Sequence, residues 1–196
     1  NLLARRTLYE IHHIPAGGAS ATSSSGAIIK ATSRVGEDDK FDLMLVIAGG
    51  DPVSFRDEKV FQWLRTLARR GVRLGGVSGG PVILACAELM NGRRMTVHWE
   101  HALALSEISP RLMVERTLFV IDRDRLTCAG GTAPLDMMLT LVGRDHGTEL
   151  ATSISEQFIC ERIRDSNDRQ RIPLRQRFGA SQPKLVEAVE LMETNI

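Results

Sequence analysis

Ser78 stands within "GGVSGG", which fits the pattern G-x-S-x-G. An apolar run precedes it and the helix-forming run "PVILACAEL" follows. The serine is therefore expected on a sharp strand-to-helix corner, which lifts a hydroxyl clear of the chain and presents it to a substrate. The flanking glycines permit positive φ and close backbone approach. The helix start brings unpaired N–H groups that favour an anion. Nucleophilic attack by a serine also needs a base and a group to orient that base. In chain order the candidates are Ser78, Asp136 and His146. Asp136 lies inside the helical pattern "APLDMMLTLV", and His146 follows only ten residues later in "GRDHG". One helix and a turn do not return a base to the corner. A hydrolase or amidase built on Ser78 is thus kept as the alternative reading, and no catalytic residue is assigned.

Other residues invite a binding role. Gly49, Gly50 and Asp51 end an apolar run, either as backbone donors to a ligand or as an ordinary strand-end turn. His98 is a ligand contact or a partly buried structural histidine. Trp99 offers a cation–π face to a quaternary amine, or else packs as core. Glu100 and His101 read as a helix start, where the dipole favours the glutamate. His98 and His101 at i and i+3, without cysteine or carboxylate company, are not read as a metal site, and no cofactor is expected. His12 and His13 fall on opposite faces of an extended segment and need no special role. Thr132 and Pro134 follow "AGG" at a helix start and are expected to face the corner.

The elements that must hold these residues alternate. Residues 7–14 read as a strand, 15–26 as a loop, 27–30 as a short strand or hairpin arm. Residues 43–48, "LMLVIA", form a continuous apolar run, the mark of a strand buried on both faces. Residues 59–70 read as a helix with Val60, Trp63, Leu64 and Leu67 inward, 73–77 as a strand and 80–89 as a helix. Residues 95–97 are extended and lead into a helix ending near Glu107; 117–121 and 126–128 read as a hairpin. Residues 132–142 and 148–161 read as helices. Strands interleaved with helices imply a parallel sheet covered on both faces. Ligands of such sheets bind beyond the carboxyl ends of the strands.

Residues 161–177, "ERIRDSNDRQRIPLRQR", are charged, aperiodic and broken by Pro173. They read as a linker or strap. Arg162, Arg164, Arg169, Arg171, Arg175 and Arg177 either contact phosphates or pair with the interleaved Glu161, Asp165 and Asp168; the ion-paired connector is preferred. Beyond it, Leu185, Val189 and Met192 share one helical face, with Ser181 as cap. Both ends of the chain read as cuts in a longer protein.

Composition narrows the class. A chain of 196 residues builds one sizeable core. Lys and Arg number 25 against 24 Asp and Glu, so no bulk attraction to nucleic acid or membrane follows. Cys86, Cys128 and Cys160 are widely spaced without a CxxC, as expected of reduced cytosolic thiols. No apolar run approaches the ~20 residues that span a bilayer.

Taken together, "LMLVIAGGDP", "GVRLGGVSGGPVILACAELMNGRRMTVHW" and "RDRLTCAGGTAPLDMMLTLV" resemble the DJ-1/PfpI superfamily, a class I glutamine-amidotransferase-like fold. More closely they resemble the N-terminal sensor domain of GlxA-like transcriptional regulators of the AraC type. "TVHWEH", "IDRDRLTCAGGTAPLDMM" and "ERIRDSNDRQRIPLRQRFG" are similar to the subgroup that governs use of glycine betaine, carnitine or arginine. The resemblance covers nearly the whole chain. It implies an α/β three-layer sandwich with a mostly parallel, flavodoxin-like central sheet. It divides the chain into a sensor domain over residues 1–160, an Arg-rich linker or strap over 161–180, and the first helix of a helix-turn-helix domain over 181–196. It implies a cytoplasmic bacterial homodimer that binds a small amine or amino-acid effector and touches promoter DNA only through a domain beyond Ile196. The effector would lie among Gly49, Gly50, Asp51, Ser78, Gly79, Gly80, His98, Trp99 and Thr132. In enzymatic relatives a cysteine stands where Ser78 does, hydrogen-bonded to a glutamate on a strand preceding Asn1. A hydroxyl is far less acidic than a thiol, so without an adjacent base Ser78 is expected to bind without attacking.

Overall fold

The structure is a computed structural model, and it describes residues 1–37, 40–172 and 183–194. Its centre is a four-stranded sheet of order β3-β4-β8-β7, made of β3 (Leu43–Ala48), β4 (Arg73–Ser78), β8 (Arg125–Cys128) and β7 (Phe119–Asp122). β3, β4 and β8 run parallel, and β7 returns antiparallel beside β8. Strand alternation sends Met44, Val46 and Leu74 to one face, and Leu43, Leu45, Val77, Leu126 and Cys128 to the other. The first face is covered by α1 (Glu58–Arg69) and α2 (Gly80–Cys86), and the second by α4 (Ala133–His146), against which α5 (Thr148–Gln157) packs. This is the expected three-layer α/β sandwich with a mostly parallel sheet.

Local chemistry accounts for the boundaries. Asp57 caps α1, its carboxylate accepting from the N–H groups of Lys59 and Val60 at 2.9 and 3.3 Å. Val60, Phe61, Leu64 and Leu67 are its buried face, with Trp63 half-buried. α4 stops at Gly147, whose φ of 94° a side chain rarely tolerates. α2 ends at Cys86 rather than near Leu89, because Glu88 turns left-handed at φ 61°. α5 ends at Gln157 rather than at Glu161, with Ile159 left-handed at φ 56°.

Four expectations need correction. Residues 7–14 form no strand: Leu8 and Tyr9 donate their N–H groups to Asn1 Oδ1, and His13 donates to Thr32 Oγ1, so side chains take the place of a neighbouring strand. The loop after them contains β1 (Ser20–Thr22), which pairs antiparallel with β2 (Ile28–Lys30). β3 is not buried on both faces; it is the edge of the sheet, and Ile47 is 75% exposed. The short extension before the Trp99 turn is β5 (Arg94–Met95), paired with β6 (Met113–Val114), which the sequence did not announce. A 3₁₀ turn over Trp99–His101 leads into α3 (Ala102–Ile108).

On α6 (Pro183–Thr194), Leu185 and Met192 are exposed, whereas Val186 and Val189 are half-buried. Pro173, Arg175, Arg177, the Ser181 cap and Ile196 lie outside the described residues.

Candidate functional site

The corner at Ser78 is built by sterics. Ser78 itself takes a left-handed backbone, φ 58°, between β4 and α2. α2 is pressed onto the sheet so closely that a Cβ on Gly80 would lie 1.9 Å from the Val46 carbonyl oxygen. A Cβ on Gly76 would lie 2.5 Å from the Pro81 nitrogen. These two glycines let the helix start where the strand ends, and the serine is pushed outward into a half-buried position. Gly130, at φ 89°, approaches from the loop after β8; a Cβ there would meet Ser78 Cβ at 2.7 Å.

Several segments converge on this corner. The Gly79 N–H donates to the Ala48 carbonyl at 2.9 Å, which seats the corner beside the loop carrying Gly49, Gly50 and Asp51. Gly50 is left-handed, φ 64°. The Asp51 carboxylate accepts from the N–H groups of Val53 and Ser54 at 3.2 and 3.3 Å, so it braces its own loop. The His98 N–H donates to the Ser78 carbonyl at 3.3 Å. His98 Nδ1 in turn accepts the Glu100 N–H at 3.4 Å. The His98 ring lies 5.4 Å from that of Trp99 and 6.0 Å from that of His101. Burial, then the neighbouring His98, lowers the His101 pKa, opposed by Glu100 and Asp51. Thr132 stands at the start of α4, two residues after Gly130.

Beneath the corner lies Cys128, fully buried. Burial pushes its thiol up to about 11, against the backbone N–H groups of Gly130 and Ser78, which pull it down. The sulfur belongs to the floor of the corner, where a neutral thiol packs as a small apolar group.

Ser78, Asp136 and His146 are not assembled. Asp136 is buried and bound to Arg164: Nε and Nη2 donate to Oδ2 at 2.9 and 2.6 Å, and the Arg164 N–H donates to Oδ1 at 2.8 Å. His146 is exposed at the end of α4, edge-on to Tyr9 with ring centroids 5.4 Å apart. Among the described residues no histidine or carboxylate side chain hydrogen-bonds the Ser78 hydroxyl. The groove that Gln62, Arg65, Thr66, Ala68, Arg69 and Leu89 enclose runs along α1, apart from the corner. Among the described residues no cluster of three histidine, cysteine or carboxylate groups suits a metal ion, and no helix is long and apolar enough to cross a membrane.

Sequence reasoning missed the partners on the rim. The segment 161–172 is ion-paired, Arg162 to Asp168 at 2.7 Å, and it also lies on the domain. Its Ser166 carbonyl accepts the Leu118 N–H at 2.9 Å, and Arg169 bridges antiparallel to Thr117. Arg164 Nη2 donates to Thr132 Oγ1 at 2.6 Å. The two N–H bonds of Gln170 Nε2 are shared among Thr96 Oγ1, the Val97 carbonyl and the Thr117 carbonyl, at 3.1, 3.0 and 2.8 Å. The Arg171 guanidinium sits 4.4 Å from the Trp99 ring centroid. Trp99 is therefore not core; it is 44% exposed and its cation–π partner is the chain's own arginine. The run of arginines was visible in the sequence, but nothing local told which would turn back onto the domain.

Among known proteins, the profile described as the DJ-1/PfpI family matches residues 2–144. The HTH-type transcriptional regulator CdhR of Pseudomonas aeruginosa is 43% identical over 186 residues, covering 95% of this chain and 55% of that protein. The HTH-type transcriptional regulator GbdR of Pseudomonas aeruginosa is 44% identical over 197 residues, covering 100% of this chain and 53% of that protein. The chain thus spans about half the length of the curated relatives it matches. The crystal structure of an AraC family transcriptional regulator from Pseudomonas putida superposes with a TM-score of 0.72 at 27% identity, covering 80% of this chain and 84% of that one.

Proposed function

The chain belongs to the DJ-1/PfpI family, and from that premise we propose that it is the ligand-sensing part of an AraC-type transcriptional regulator. Its fold keeps the family's corner and uses it to bind a small effector without turning it over. The observation that carries this reading is the corner itself: Ser78 is presented at φ 58°, yet neither Asp136 nor His146 is there to activate it. A hydroxyl without a base donates and accepts hydrogen bonds and does not attack. The identity to CdhR and GbdR supports the regulatory half of the proposal.

The effector is a small amine or amino-acid metabolite held at the carboxyl ends of β3, β4 and β8. Gly49, Gly50 and Asp51 border it on one side, Ser78, Gly79 and Gly80 at the corner, His98 and Trp99 above, and Thr132 opposite. Promoter DNA is contacted through a separate helix-turn-helix region, and the regulator works as a dimer in the bacterial cytoplasm.

A ligand selective for the folded state raises stability by mass action, about 2.7 kcal/mol at a hundredfold excess over Kd. For a domain of this size that is a rise in Tm of roughly 5–10 °C. Thermal unfolding with glycine betaine, carnitine and arginine is expected to show such a rise for one of them, lost in Ser78→Trp. The hydrolase alternative draws on the same left-handed Ser78; ester or amide turnover that disappears in Ser78→Ala would establish it and overturn the sensor reading.

A further inference from the structure

We propose that the strap over residues 161–172 is a latch that reads the site. It is not a passive tether to α6. Three of its long side chains, Arg164, Gln170 and Arg171, end on segments near the corner. Arg164 joins Thr132 to the buried Asp136. Gln170 is inserted beside the backbone immediately before His98, where its amide nitrogen satisfies the Val97 and Thr117 carbonyls at once. Arg171 covers the face of Trp99. Gln170 and Arg171 stand just ahead of the stretch that leads to α6.

The geometry makes the coupling physical. The His98 N–H is bonded to the Ser78 carbonyl, so the Trp99 turn and the corner move together. Gln170 touches three partners in the segments that follow β5 and precede β7, and its side-chain Oε1 is buried without a hydrogen-bond partner. The hold on Gln170 therefore rests on its Nε2 donations alone, and a small shift of the Val97 or Thr117 carbonyl weakens it. A ligand seated against Trp99 contends with Arg171 for the same ring. Occupancy of the site therefore weakens the strap's grip, and a released strap in turn loosens the Trp99 turn. Linkage requires this reciprocity of any true coupling between two sites.

The test needs no known effector. Hydrogen exchange read by mass spectrometry on the 196-residue chain compares Trp99→Ala, Gln170→Ala, Arg171→Ala and Arg162→Ala. The latch predicts that Trp99→Ala speeds exchange over 166–172 at least tenfold. It predicts that Gln170→Ala and Arg171→Ala do the same over 97–101, while Arg162→Ala, which breaks a pair within the strap, leaves 97–101 unchanged. Exchange in β4 and α2 stays as in the parent. Were Trp99→Ala to exchange everywhere, Trp99→Phe, which keeps a ring for Arg171, must leave the strap protected while Arg171→Ala frees it. Strap and turn that respond independently overturn the proposal. What the latch reports to rests on the regulator reading, and the two fail separately. Absent coupling refutes the latch alone; an intact protein that shows the coupling and controls no promoter refutes the regulator alone.

Discussion

Ser78 pays a conformational cost for its position: a left-handed backbone costs a side-chain-bearing residue roughly 1–2 kcal/mol. Ser78→Gly is expected to stay within about 1 kcal/mol of the parent in urea unfolding, because strain relief and chain entropy offset each other. Ser78→Val, with a branched Cβ facing Gly130, is expected to lose about 2 kcal/mol. Gly80→Ala must move α2 off β3, since its Cβ falls 1.9 Å from the Val46 oxygen; a loss of roughly 3 kcal/mol or more, or failure to fold, is expected. At Cys128 the folded thiol titrates at about 11 because it is buried, above the ~8.5 of an unfolded cysteine. The raised value means that its stabilising contribution is complete below the unfolded pKa and is lost as pH rises toward 11. At pH 8 a thiol reagent should label the half-buried Cys86 and Cys160 in the native protein, and Cys128 only after denaturation; native labelling of Cys128 would contradict its place in the floor. The corner was legible in the sequence because its information is local: glycines, a serine and a proline within six positions. The rim was not, because Gln170 meets Thr96 across 74 residues and no periodicity encodes such a meeting.

At the scale of elements, the strap is anchored by the Arg164–Asp136 pair, with the Asp136 side chain buried. Removing one partner leaves a buried charge uncompensated. Arg164→Ala is therefore expected to cost about 3 kcal/mol, and Arg164→Ala with Asp136→Ala distinctly less than the sum of the singles. Additive losses in a double-mutant cycle would show that the pair is incidental. Asp136 illustrates what element-level reading reaches and misses. Its place in a helix was plain from "APLDMMLTLV", but its partner lies 28 residues on, in a segment with no period. The strands at 43–48 and 73–77 were legible in the sequence, the second reaching one residue further, to Ser78, in the structure, whereas the edge position of β3 depends on what pairs beside it. Residues 7–14 show the converse: a strand-like pattern finds no neighbouring strand among the described residues and forms no ladder.

At the scale of the molecule, fold class followed from the alternation of apolar runs and amphipathic stretches, which demands a sheet covered on both faces. Function did not follow from the fold, because one scaffold serves catalysts and binders alike; it rests on which groups reach Ser78. The charges of the chain nearly balance, and in the strap Arg162 and Arg164 are paired with carboxylates. On the regulator reading, in which DNA is contacted through a separate helix-turn-helix region, a gel shift with promoter DNA is expected to show no specific complex of these 196 residues at physiological salt; the resemblance to such regulators leads us to expect a dimer in sedimentation.

The claim that the site binds without reacting is tested most directly by proton NMR of glycine betaine, carnitine and arginine incubated with the chain. The lines of one compound should broaden, the broadening should vanish in Ser78→Trp, and all three compounds should be recovered unchanged. Steady disappearance of any of them, stopped by Ser78→Ala, would contradict the account.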